Sequence, residues 1–155
     1  MRLHLLTVGK ARKTPLAAAA RDYLDRLGHY ATVEEIVVRE ERAGKGVSPA
    51  DVMRREGERI LARLLPGCYT IALDRSGAEI PSEGLAKKIE GLAGSTSETV
   101  FVIGGAFGLD PAVLKRSDWT WSLSALTYPH ELARVMVLEQ LYRAHTILRG
   151  EPYHK

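Results

Sequence analysis

Thr99-Val100-Phe101-Val102-Ile103 runs without a break into Gly104-Gly105-Ala106-Phe107-Gly108. A short apolar, mostly β-branched run followed by a glycine cluster reads as a strand buried on both faces, ending in a tight turn. A strand with no polar face belongs inside a parallel sheet, because helices must then cover both sides. The same pattern recurs on either side. Arg2–Val8 is a short strand ending at Gly9, and Val33–Val38 is a second, β-branched one. Tyr69–Leu73 is a third, followed by Asp74-Arg75-Ser76-Gly77, and Trp119–Leu123 is a fifth.

Helical spacings with start and stop signals fall between the strands. Thr14-Pro15 opens a helix carrying Leu16, Ala19, Ala20, Tyr23, Leu24 and Leu27, and Gly28 stops it. Ser48-Pro49-Ala50-Asp51 repeats the start signal with a capping box, for a helix that runs to Pro66-Gly67. Ser82 starts a third helix, closed by Gly94. Asp110-Pro111 begins a short fourth, and Pro129 opens the last. Strands alternating with helices predict one α/β domain, a parallel-type sheet flanked by helices. Repeats, low-complexity tracts and linkers are absent from the sequence.

The chain has 155 residues, of which 45% are hydrophobic and 26% charged, the mix of an ordinary soluble domain. A net charge of +3 is too small to announce a nucleic-acid binder. The charge is uneven, however. Residues 1–30 hold six Lys/Arg against two acids, residues 31–128 twelve against fourteen, and residues 129–155 four against three. A polyanion would therefore be met by a patch. The single cysteine excludes an internal disulfide and a multi-cysteine metal site, and fits a reducing compartment. No stretch reaches membrane-spanning length, and the start lacks a signal-peptide pattern. A cytoplasmic location is expected.

The last helix is apolar nearly all round. Leu132, Val135, Met136, Val137, Leu138, Leu141, Tyr142, Ile147 and Leu148 occupy more than one stripe. Such a helix must be buried on two sides; a homodimer interface is expected on the second, the alternative being a helix set deep in a single core, for which a domain of this length has little room.

Ligands of open parallel sheets bind beyond the carboxyl ends of the strands. Three ends stand out: Leu73-Asp74 with its glycine turn, the Gly104–Gly108 cluster, and Leu123-Ser124-Ala125-Leu126-Thr127-Tyr128-Pro129-His130. The glycine cluster fits a close backbone approach to a ligand and equally a plain tight turn. It lacks the dinucleotide fingerprint, and no Walker sequence occurs. His130 is a helix-start residue by its bland reading and a general base or substrate contact by the functional one. His4 and His29 read as structural or exposed, and His145 falls on the last helix. Metal binding and acyl transfer are disfavoured, for want of a ligand cluster or a nucleophile elbow. The ending Tyr153-His154-Lys155 is either a solvated tail or a group that stacks on a base and meets phosphate.

Trp121–Leu132, Glu139-Gln140-Leu141-Tyr142-Arg143-Ala144 and Pro152-Tyr153-His154-Lys155 together resemble the ribosomal RNA large-subunit methyltransferase H family of SPOUT enzymes. Ile103–Gly108, Val8-Gly9-Lys10 and Glu56-Gly57-Glu58 match as well. The likeness runs end to end. One departure is Ala78, where relatives often carry lysine.

That resemblance implies an α/β knot: one SPOUT domain over residues 1–155 with a C-terminal trefoil knot, the cofactor-binding part within about 73–148. It implies S-adenosyl-L-methionine as methyl donor, no metal, and transfer to N3 of the pseudouridine at position 1915 of 23S rRNA, in helix 69, on the assembled ribosome. The cofactor contacts carried over are Leu73, Gly104, Leu123, Ser124, Ala125, Leu126, Thr127 and Tyr128. The partners implied are a second copy, forming a homodimer with a composite site, and the ribosome. Methyl transfer to N3 needs a base or a stabilising cation, for which His154, His130, Arg134, Tyr142 and Lys155 are candidates. Lys10, Arg12, Lys13, Arg143, Arg149 and Lys155 are candidate phosphate contacts. The rival readings are another knotted methyltransferase, a non-catalytic ribosome-binding factor and, more distantly, a dinucleotide oxidoreductase.

Overall fold

The computed structural model describes every residue except Ala11. In chain order it comprises β1 (Arg2–Val8), α1 (Pro15–Leu27), β2 (Thr32–Val38), α2 (Pro49–Leu61), β3 (Tyr69–Ala78), α3 (Ser82–Ser95), β4 (Glu98–Ile103), α4 (Pro111–Arg116), β5 (Trp119–Trp121) and α5 (His130–Leu148). The strands form one parallel sheet in the order β2-β1-β4-β3-β5. The expected parallel α/β architecture is what the chain adopts.

The glycine-terminated strand that set the fold class is central. β4 lies between β1 and β3, with Phe101 in register with Leu5 on one side and Ile71 on the other. Both of its faces are covered. Phe101 and Ile103 join Leu3, Leu5 and Ile71 under α1, α3 and α5. Val100 and Val102 join Leu6, Val8 and Ala72 under Ile60 of α2 and Val113 of α4. β2, at the edge, departs from that pattern: Glu34, Glu35 and Val37 are exposed, because only one neighbour pairs with it.

Local signals explain most element ends. The Thr14 side chain accepts the Ala17 N–H, and Ser48 and Asp51 complete a reciprocal capping box. Asp110 caps α4 through the Ala112 N–H. Several boundaries differ from expectation, among them β5, which ends at Trp121 and not at Leu123 because the chain leaves the sheet there for the long connection to α5. Gly28 ends α1 in a right-handed conformation, without the left-handed cap. α2 stops at Leu61, five residues before Pro66, and continues as turns. Ser82 does not cap α3: Pro81 holds that place, and the Ser82 hydroxyl donates to Gln140 Oε1 on α5 at 2.7 Å. β3 continues past Leu73 to Ala78, which pairs with Trp121 across a register shift.

α5 packs between α1 and α3 on the sheet. Val137, Leu138, Leu141 and Ala144 are fully buried there, and the C-terminal tail covers Tyr142. Two flanks of the helix are thus occupied within the chain itself, which accounts for much of its apolar circumference. Among the described residues, no helix is long and apolar enough to cross a membrane.

Candidate active site

Three loops at the carboxyl ends of β3, β4 and β5 enclose a cavity of about 580 Å³, within the usual range for small-molecule sites. β3 contributes Leu73 to Ser76, β4 contributes Ile103 to Leu109, and the β5–α5 connection contributes Leu123, Ser124 and Leu126 to Tyr128. Trp121, His130 and Ala133 complete the wall. The cavity lies over β4, β3 and β5, not over the β1/β4 junction where the strand order reverses. The extension of β3 past Leu73 and the long β5–α5 connection supply the walls that place it there.

Each loop has a local reason for its shape. In the β4 loop, Gly108 N–H donates to Gly105 O at 3.1 Å, and Gly108 sits at φ +87°, where a side chain is strained. A Cβ on Gly104 would stand 2.8 Å from the Gly108 carbonyl carbon, so the strand can meet the turn this closely only through glycine. In the β5–α5 loop, Ser124 Oγ lies 2.7 Å from Tyr128 Oη and accepts the Leu126 N–H at 3.0 Å, while Ser122 Oγ donates to Ser124 O at 2.9 Å. In the β3 loop, Asp74 Oδ1 accepts from Ser76 N and Oγ.

These loops suit a polar, flat ligand held through backbone groups. The N–H groups of Ala106 and Phe107 have no hydrogen-bond partner among the described residues. Phe107 and Leu126 are the two large apolar side chains left exposed at this mouth, 43% and 68% accessible. No group of three His, Cys, Asp or Glu side chains that could hold a metal occurs among the described residues.

Of the residues carried over as cofactor contacts, Leu73, Gly104, Leu123, Ser124, Leu126, Thr127 and Tyr128 line this one cavity; Ala125, exposed on the same loop, does not. The catalytic candidates are dispersed. His130, the first residue of α5, lines the cavity. Arg134 faces a small neighbouring cleft that His130 also borders, and its guanidinium is held by Glu35 on β2 (Nε–Oε1 2.9 Å). Tyr142, His154 and Lys155 lie outside the lining.

The tail is docked, not solvated. Tyr153 meets Tyr142 edge-on at 4.7 Å between ring centroids and donates its hydroxyl to Glu139 Oε1 at 3.0 Å. The Tyr30 hydroxyl donates to Glu151. Burial, together with the contacts to Tyr23 and Glu139, pushes the Tyr153 phenol above its ordinary pKa, so it keeps its proton at neutral pH. His154 Nε2 lies 3.1 Å from Glu83 Oε1, and Nδ1 lies 3.4 Å from Arg143 Nη1. Lys155 is exposed.

Sequence reasoning passed over Trp121 and Ala133 as wall residues. A tryptophan at a strand's carboxyl end was the available signal for the first. It attached no role to Glu56 on α2, part of the matching Glu56-Gly57-Glu58 stretch, which is buried behind the glycine loop and close to Gly105.

A parallel sheet whose carboxyl ends carry a glycine turn and two polar loops around one cavity is the arrangement in which α/β proteins hold a small ligand. A family model described as "Predicted SPOUT methyltransferase" matches residues 1–154. The chain belongs to the SPOUT methyltransferase family. It is 44% identical over 160 residues to Ribosomal RNA large subunit methyltransferase H of Carboxydothermus hydrogenoformans, and 45% identical over 155 residues to the protein of the same name from Gemmatimonas aurantiaca. Each alignment covers the whole of both chains. Among solved structures, a probable methylase family protein from Haemophilus influenzae Rd KW20 superimposes with a TM-score of 0.58 at 15% identity, over 99% of this chain and 70% of that one.

Proposed function

We propose that this chain transfers a methyl group from S-adenosyl-L-methionine to N3 of a pseudouridine in helix 69 of 23S rRNA, acting in the cytoplasm as a homodimer on the assembled ribosome. The observation that carries the reading is one cavity: Leu73, Gly104, Leu123, Ser124, Leu126, Thr127 and Tyr128, far apart in sequence, converge on it. The full-length relatives named for rRNA methylation add the substrate class.

The residues present fit the cofactor. The glycine turn leaves no side chain between strand and ligand, and the free N–H groups of Ala106 and Phe107 can bind a ribose or carboxylate oxygen. When bound, S-adenosyl-L-methionine supplies an electrophilic methyl on a sulfonium, needing no metal. What falls to the chain is to hold the acceptor nitrogen in line with that methyl, to exclude water, and to take the N3 proton as the N–C bond forms. Ser124, Tyr128 and the glycine turn hold the cofactor side. His130, in the wall, is placed to contact the acceptor base.

Residues of the tail reach the site only from a second subunit, since His154 and Lys155 do not line their own cavity. We assign them to the partner's cavity, with the knot formed by the segment about 73–148 as its floor. Both ring nitrogens of His154 are engaged here, so its use as a base requires release from Glu83 or Arg143. Lys10, Arg12 and Lys13, which have no ion-pair partner among the described residues, are assigned to rRNA phosphates.

The test is methylation with labelled cofactor on free 23S rRNA, the large subunit and the whole ribosome, followed by mass mapping of the modified nucleoside. N3-methylpseudouridine appearing on ribosomes is the expected result. A methyl group on ribose or on another base would overturn the assignment.

A further inference from the structure

Glu56 is the buried acid that the mechanism above leaves unused. It lies on α2, on the face turned toward the β4 loop, and is only 3% exposed. Its Oε1 accepts the Glu41 N–H at 2.9 Å, while Oε2 has no hydrogen-bond partner. The place a Cβ would occupy on Gly105 is 2.6 Å from that unpartnered oxygen. The next residue repeats the contact: a Cβ on Gly57 would meet Asp110 Cβ at 2.7 Å. α2 therefore supports the loop from behind through a carboxylate and a bare backbone, and the Gly105 side of that contact lines the cofactor cavity.

Burying a carboxyl with one oxygen unpaired is costly, and nothing in the packing requires an acid there. Burial raises its pKa, and the neighbouring Glu40 and Glu41 add to the shift, while the Glu41 N–H and Arg59 oppose it. On the loop side, Asp110 packs against Gly57. Such a group destabilises the folded chain as pH rises, so a glutamine of the same shape should fold at least as well. A residue kept against stability is the pattern of a functional position.

We propose that Glu56 is a positioning residue for methyl transfer: it fixes the Gly104–Gly108 turn in the shape that receives the cofactor and ties that turn, through the Glu41 N–H, to the charged segment 39–47. The coupling has a structural basis at both ends. Arg59 holds the Glu41 side chain and donates to Arg39 O at 2.9 Å, which fastens the segment to α2. The inference rests on the cavity being the S-adenosyl-L-methionine site.

The experiment is calorimetry with S-adenosyl-L-methionine and S-adenosyl-L-homocysteine on wild type, Glu56→Gln, Gly105→Ala and the double variant Glu56→Ala/Gly105→Ala, with melting temperatures for each. Glu56→Gln should melt at or above wild type at neutral pH yet bind both ligands at least about fivefold more weakly, a loss of about 1 kcal/mol. It should raise the KM for cofactor more than it lowers kcat. Gly105→Ala should weaken both ligands further, and Glu56→Ala should partly rescue it, because removing the carboxyl makes room for the new methyl. Wild-type affinity in Glu56→Gln, or no rescue in the double variant, would overturn the role. A loss confined to the charged sulfonium ligand would overturn it too, in favour of a direct charge effect. Wild-type protein that binds neither ligand would refute the cavity assignment itself and this role with it.

Discussion

Tyr142 and Tyr153 meet edge-on at 4.7 Å, and this pair fastens the C-terminal tail to the middle of α5. The geometry is a favourable one for two aromatic rings. It is reinforced from α1, whose Tyr23 ring lies 6.2 Å from Tyr142 and whose hydroxyl lies 3.4 Å from that of Tyr153. A tail held at three points has a defined direction, which a group acting at a distance from its own fold requires.

Tyr153→Ala removes the ring contact and the hydrogen bond to Glu139 together, with an expected loss of about 1–3 kcal/mol. For a domain of this size that lowers the melting temperature by about 2–4 °C per kcal/mol. Tyr153→Phe keeps the ring contact and should lose about 1 kcal/mol or less. Because Tyr153 is outside the cavity lining, cofactor affinity should be unchanged in both, while the methylation rate falls in Tyr153→Ala. Thermal melts and calorimetry check the two halves separately.

Gly104→Ala places a methyl group 2.8 Å from the Gly108 carbonyl carbon and 3.1 Å from Leu109 Cδ2. Gly104 has an ordinary backbone conformation, so the effect is steric and local to the turn. The turn must swing into the cavity or away from it. Cofactor affinity should drop at least about tenfold, about 1.4 kcal/mol, with the sheet intact by circular dichroism. Ser124→Ala, which removes the acceptor of the Leu126 N–H and the partner of Tyr128, should weaken binding less.

How far the sequence could lead is clearest where range in the chain matters. β1 and β4 were readable because burial on both faces leaves an unbroken apolar run. The end of β3 was not: Leu73 looked terminal, yet the chain continues because Gly77 lets it pass against Thr120, where a Cβ would stand 2.5 Å from the carbonyl oxygen. Ser82 carried a cap signal that Gln140, distant in sequence, took over. The over-apolar α5 was read correctly as buried on more than one side, but the coverage by α1 and α3 is a tertiary fact that periodicity does not encode. At the site, strand-end position marked the loops and family resemblance named the residues. Glu56 falls in the matching Glu56-Gly57-Glu58 stretch but received no role, because a glutamate in a charged helix looks like a solvated one.

His145 gives a pH signature. Burial first, and then the nearby Arg149, hold its pKa below the ordinary 6.5, and its Nε2 has no partner beside the stacked Tyr30 ring. Above pH 6.5 the imidazole is neutral in both folded and unfolded chains, so it contributes no pH dependence. As pH falls below 6.5 the unfolded chain takes up a proton that the folded one resists, and stability is lost until the lower folded pKa is passed. Wild type should therefore lose melting temperature as pH falls below 6.5, and His145→Phe should lose less over the same interval. Parallel melts across that range measure the difference; identical slopes would remove His145 as the cause.

His154→Ala separates the tail from the cavity. His154 contacts Glu83 and Arg143 of its own chain and lines no part of its own cavity, so its loss should leave cofactor affinity within about twofold. If it serves the acceptor base in a partner's cavity, the methylation rate should fall by about 10²-fold or more. Equal loss of both, or no loss of rate, would remove it from catalysis. Mixing supplies the sharper result. Gly104→Ala subunits have an intact tail and a damaged cavity, and His154→Ala subunits the reverse. In a mixed dimer one cavity is whole and faces a whole tail, so co-expression of the two impaired variants should recover activity when it is assayed at cofactor concentrations too low to saturate Gly104→Ala. A site complete within one chain gives no such recovery. Sedimentation of the same mixture, showing a species of twice the mass of one chain, ties the recovered activity to the dimer.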